Sequence, residues 1–201
     1  MKKTSPTRIP FHLLALLPLA KIILDYFTGN LSPNPIQDLE QRTGFAAITI
    51  LILSLSTTPL RILFKWRTPS KYRRVLGLYA FFYATIHVII YLAIDYAFDL
   101  NLLVNATLEK RYTLVGTTAY LLLIPLAITS YKWGMKKIGK NWKKLHRTVY
   151  LIAPLLILHF AWARKGDIFS LQGNILVPLI YGIIVILFLA VRIPLIRKLF
   201  K

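Results

Sequence analysis

Apolar residues gather in six long blocks along the chain, at about 9–27, 43–60, 75–98, 112–131, 148–163 and 175–191, and polar residues collect between them. A helix needs ~17 to 25 such residues to cross a bilayer, so the pattern predicts six membrane-spanning helices. Lys2, Lys3 and Arg8 precede the first block as they would a signal peptide, but no small-residue cleavage site follows Phe27, and the block is read as a span. Pro18, Pro125, Pro154 and Pro178 fall inside the blocks. Lipid-buried helices tolerate this because neighbours re-satisfy the carbonyls that proline leaves free. The expectation is an all-α bundle forming one membrane domain over residues 1–201, with connecting segments too short for a soluble catalytic domain. No internal repeat, glycine-rich phosphate loop or low-complexity tract stands out.

Composition agrees with the pattern: 56% of the 201 residues are hydrophobic, mean hydropathy is +0.58 and 16% are charged. Cysteine is absent, which excludes disulfides, thiolate metal sites, iron–sulfur clusters and cysteine nucleophiles. A metal in this chain must be held by histidine, carboxylate or methionine. The net charge of +19 raises nucleic acid as a partner, but the bases sit in short clusters between apolar blocks, as topology signals do. No nucleic-acid partner is expected.

Segments 1–8, 61–74, 132–147 and 192–201 hold 20 of the 26 Lys and Arg and no acid, whereas Arg42, Lys110, Arg111, Arg164 and Lys165 lie in the alternate segments. By the positive-inside rule both termini face the cytoplasm, and helices three and five run outward from it.

An ionisable side chain inside a span is costly and points to function. His87 lies within VLGLYAFFYATIHVIIYLAI and His159 within LLILHFAW. Each stands about thirteen residues beyond a basic loop, His87 from Arg74 and His159 from His146 and Arg147. At ~1.5 Å per residue both imidazoles reach the same depth, ~18 to 20 Å from the cytoplasmic boundary. Two histidines at one level on two helices can bracket a flat metal macrocycle, whereas a bare zinc or iron would want a third ligand that this level does not offer. Haem b is the cofactor that fits.

His146 lies among Trp142, Lys143, Lys144 and Arg147, where it serves either as an interfacial residue or as ligand to a second haem nearer the cytoplasm. The matching place on helix three holds Arg74, and ideal helical phase puts His146 and His159 ~140° apart. His12 reads as interfacial. Arg73, Arg74 and Arg147 can neutralise the propionates of a cytoplasmic-side haem, and Arg111 or Arg164 those of the outer one; each can instead serve topology and lipid phosphate.

PIQDLEQRTG before helix two, TPLR at its end, RRVLGL opening helix three and WKKLHRTVYL opening helix five together resemble the MsrQ (YedZ) family of haem-binding membrane subunits, over nearly the whole chain. More distantly the chain is similar to the transmembrane core of ferric reductases and NADPH oxidases, in which a flavin and nicotinamide domain follows the last span. The resemblance implies a multi-pass protein of the bacterial inner membrane carrying one or two haems b at positions matching His87, His146 and His159. It implies electrons arriving from the quinone pool or a cytoplasmic flavin reductase and leaving for MsrP, a periplasmic molybdopterin enzyme that repairs methionine sulfoxide. FMN is implied by the resemblance alone. Two other readings stay open: a stand-alone ferric or cupric reductase core, and a transporter using its histidines as proton relays.

Overall fold

The computed structural model describes residues 8–198, so Lys2, Lys3 and Lys201 lie outside it. The long helices are α1 (Arg8–Phe27), α2 (Pro35–Leu63), α3 (Arg73–Ile89), α5 (Arg111–Ile128), α8 (Val149–Ala163) and α9 (Leu176–Ala190). Five helical stretches are long and apolar enough to cross a membrane, and α9 is a shorter apolar helix. The fold is an all-α transmembrane bundle. Leu13, Leu14, Ile186 and Leu187 stay exposed on its outside, as side chains facing lipid do, while Leu55, Tyr83, Ala119 and Ile152 are sealed within.

Short helices mark both ends. α4 (Leu100–Glu109) occupies the segment read from sequence as a loop; Asp99 caps it by accepting from the amides of Asn101 and Leu102. α6 (Lys132–Ile138) and α7 (Trp142–Leu145) fill the basic segment before α8. α3 continues beyond Ile89 as a π turn over Ile90–Asp95, a widening that frequently accompanies functional sites. Asn34 and Pro35 start α2, Asn34 accepting from the Gln37 amide.

Two hairpins, α2 with α3 and α5 with α8, form the centre, and α9 packs on α8 and α2. At the acid-bearing end Arg42 bonds both Asp25 and Asp38, tying α1 to α2. α2 runs on through Pro59, which lacks the N–H that would bond the Leu55 carbonyl. Nη2 of Arg192 donates to that carbonyl instead, at 2.5 Å. Pro18 loosens α1 in a similar way. The Tyr83 hydroxyl enters the next rung, donating to the Ala15 carbonyl at 2.9 Å and accepting from the Leu19 amide at 3.2 Å. Tyr83→Phe removes the bridge and is expected to cost about 1–3 kcal/mol. The check is a lower thermal midpoint in detergent with helical circular dichroism unchanged; an unaltered midpoint contradicts it.

Candidate functional site

α3 carries His87 and α8 carries His159 into the middle of the bundle, where their ring centres lie 6.1 Å apart with planes at 78°. Each ring is fixed by a backbone carbonyl from its own hairpin partner. His87 Nδ1 donates to the Glu40 carbonyl at 2.9 Å, and His159 Nδ1 donates to the Tyr112 carbonyl at 2.7 Å. A carbonyl only accepts, so Nδ1 carries the proton and Nε2 keeps its lone pair, the tautomer that a metal ligand requires.

Both carbonyls come from residues one helical turn before a glycine. Gly44 faces the His87 ring, where a Cβ would stand 3.3 Å from it; Gly116 faces the His159 ring, where a Cβ would stand 2.5 Å from Nδ1. Hydrogen at these positions is what lets an imidazole lie against the neighbouring helix backbone. The two half-sites are copies: Glu40 to Tyr112, Gly44 to Gly116 and His87 to His159 are each 72 positions apart. An internal repeat is therefore present where the sequence pattern showed none. It is written in carbonyls and missing side chains, so Glu40 and Tyr112 fill one role without resembling each other. The recoverable signal is a glycine 43 positions before each deep histidine.

The separation suits a shared metal. Metal–nitrogen bonds of about 2.0 Å on either side, with roughly 1.2 Å from nitrogen to ring centre, need about 6.4 Å. Among the described residues no cluster of three His, Asp or Glu is placed to hold a metal ion. Two axial nitrogens and no further protein ligand suit an iron that brings its own four equatorial nitrogens.

Buried polar atoms lie beside this pair toward the acid-bearing end: Glu40 Oε1 is without a protein partner, and the Tyr91 and Thr113 hydroxyls lie close to each other without a hydrogen bond of normal geometry. The Tyr91 and Thr113 hydroxyls are donors that a propionate would accept. Nearby, Lys110 donates to the Tyr96 hydroxyl at 3.1 Å, a bond that raises its pKa above the ordinary lysine value.

The same 72-residue shift carries Thr57 to Thr129 and Arg74 to His146. His146 is half-buried, 3.0 Å from the Thr129 hydroxyl through Nε2 and tilted on Trp142 with ring centres 4.1 Å apart. His146–Thr148 forms a 3₁₀ turn before α8 begins. With three residues per turn there, His146 and His159 come to about 80° apart, nearer to one face than an unbroken α-helix allows. Arg74 and Arg147, expected beside His146, are both exposed, and Arg73 is the base that acts on it electrostatically. Arg111 is exposed and Arg164 lies over the Phe160 ring at 5.7 Å. His12 sits on the exposed flank of α1, bonded to Tyr79 at 2.8 Å.

Residues 43–157 match the family described as ferric reductase like transmembrane component. A protein-methionine-sulfoxide reductase heme-binding subunit MsrQ of Herminiimonas arsenicoxydans is 41% identical over 180 residues, covering 89% of this chain and 80% of that protein. This chain belongs to the MsrQ family. MsrQ proteins of Xanthomonas axonopodis pv. citri and Rhodospirillum rubrum are 39% and 37% identical, covering 84% and 95% of this chain and 82% and 89% of their own lengths. The ferric reductase match runs from within α2 to within α8 of the MsrQ fold and ends just before His159. α1 and α9, which flank the hairpins, lie outside it. Of the histidines that sequence reading singled out in this MsrQ chain, the structure brings His87 and His159 together, beside Gly44 and Gly116, which that reading passed over as it did Arg192. Arg192 passed as one more base in a topology cluster.

Proposed function

We propose that this protein is a haem b electron-transfer subunit of the bacterial inner membrane, with His87 and His159 as the axial ligands. The observation that carries the reading is the facing pair of imidazoles, each turned by a carbonyl so that Nε2 is the ligating nitrogen. The relatives' printed name, a heme-binding subunit, supports it. An iron porphyrin held by two neutral imidazoles supplies a six-coordinate, low-spin centre that passes single electrons and offers no open position to oxygen.

What the chain itself does follows from its parts. The Glu40 and Tyr112 carbonyls raise the basicity of the two rings and fix their orientation. Gly44 and Gly116 keep the rings against α2 and α5, and the lipid-facing shell keeps water from the pair. The basic end of the bundle faces the cytoplasm by the positive-inside rule. Electrons enter from membrane quinol or a cytoplasmic flavin reductase, and leave at the acid-bearing end for a periplasmic molybdopterin reductase of the MsrP type that repairs oxidised methionine in proteins. His146 is the position at which a second haem, nearer the cytoplasm, would be held.

A dithionite-reduced minus oxidised spectrum of the purified protein, with haem counted per chain, tests this. A sharp low-spin band is expected, with two haems in wild type and one in His146→Ala. A colourless wild type overturns the reading, and one haem in both proteins returns His146 to the interface.

A further inference from the structure

Arg192 reaches from the end of α9 back into the bundle and spends one donor on the Leu55 carbonyl that Pro59 leaves free. Its guanidinium lies over the Tyr150 ring, 5.0 Å from the centre. Nε and Nη1 are buried without a hydrogen bond of normal geometry, the only buried side-chain nitrogens so placed among the described residues, and the polar group that does approach the guanidinium, the Tyr150 hydroxyl, carries no charge. Tyr150 stands one turn beyond His146, and Arg73 acts electrostatically on both His146 and Arg192. These residues therefore line one region at the basic end, where α2, α8 and α9 meet.

A guanidinium stays charged at any physiological pH. Buried without a counter-charge it is strongly destabilising. The chain has seven carboxylate side chains, Asp25, Asp38, Glu40, Asp95, Asp99, Glu109 and Asp167, and all belong to the opposite end of the bundle. Arg73 adds to the positive charge instead of offsetting it. No described residue offers the negative charge, so it is left to a ligand, and unpartnered N–H groups on a charged guanidinium call for the anionic oxygens of a carboxylate or phosphate.

We infer that Arg192, flanked by Tyr150 and His146, is the binding site for an anionic oxygen group on a ligand seated at the basic end of the bundle. The group is a carboxylate or a phosphate: a propionate of the haem on His146, or the headgroup phosphate of a phospholipid. The need for an anion follows from charge and burial; only haem as its carrier rests on the function proposed above.

Wild type, Arg192→Gln and Arg192→Lys, purified in detergent, separate the possibilities when haem and phospholipid per chain are counted by native mass spectrometry. Glutamine keeps an N–H for the Leu55 carbonyl and loses the charge; lysine keeps the charge and loses the planar set of donors. Retention of the anionic ligand should fall roughly 10- to 100-fold in Arg192→Gln and less in Arg192→Lys. Loss of one haem, with the His87 and His159 spectrum unchanged, identifies a propionate, and loss of bound phospholipid identifies a phosphate. Loss of phospholipid in Arg192→Gln, when wild type itself lacks the low-spin spectrum, would sink the proposed function and leave this inference standing. Equal haem and phospholipid in wild type and Arg192→Gln overturns it. Should Arg192→Gln fail to accumulate, delipidated wild type is titrated with phosphatidylglycerol, phosphatidylcholine or haemin. A thermal midpoint raised by phosphatidylglycerol or haemin but not by phosphatidylcholine supports the site, and equal midpoints overturn it.

Discussion

His87→Ala and His159→Ala are each expected to leave purified protein without the low-spin spectrum of the haem between these two residues, one haem fewer per chain than wild type. Neither ring has a substitute: among the described residues no third His, Asp or Glu is grouped with the pair, and His146 is engaged with Thr129 and Trp142. Removing an outer partner of a metal ligand costs roughly 10- to 100-fold in affinity, and removing the ligand itself should cost more. Each substitution also removes the imidazole N–H that the Glu40 carbonyl, in one case, or the Tyr112 carbonyl, in the other, accepts. Added imidazole should restore the reduced band in part, because the space left is the shape of the ring that was removed. An unchanged spectrum in either variant is the result that counts against the pair.

Gly116→Ala should come close to His159→Ala in effect, while Gly44→Ala is much milder. The added methyl at position 116 would lie 2.5 Å from His159 Nδ1 and 2.7 Å from Cε1, nearer than non-bonded carbon can stand. The ring must turn away and the 2.7 Å bond to the Tyr112 carbonyl is lost with it. At position 44 the nearest ring atoms are 3.3 Å away, a contact that a shift of a few tenths of an ångström relieves. Helix propensity works the other way: glycine to alanine within a helix ordinarily stabilises by about 0.5–1 kcal/mol. A loss of haem in Gly116→Ala therefore reports on the cradle and not on the helix. Haem retained per chain should fall at least about tenfold in Gly116→Ala. Equal behaviour of the two variants would contradict the asymmetry.

The bundle and the shared level of His87 and His159 along their helices were legible in the sequence because both depend on one-dimensional quantities. Length of apolar run and rise per residue carry that information, and the two rings do meet. The half-sites were harder to read, since their shared parts are a carbonyl, which every residue has, and a glycine, which marks an absence. Glu40 and Tyr112 share no chemistry in their side chains, so alignment by type does not pair them. Arg192 was hidden for another reason. Its charge served the topology count as well as any lysine, and only Nε and Nη1, buried without a hydrogen bond of normal geometry, set it apart. α4 was missed because residues between two long apolar blocks look like a connector, whereas the Asp99 cap gives Leu100–Glu109 a start of its own.

The duplicated hairpins carry a consequence for how such a protein comes to be finished. Each half supplies one nitrogen, so the proposed haem can be gripped only across the seam between them, and neither half gains from it alone. Free energy of loading is then free energy of joining the halves. Through mass action, the supply of haem in the cell sets the fraction of chains whose two halves are clamped. Built this way, the chain would be held more tightly across that seam with its cofactor than without it.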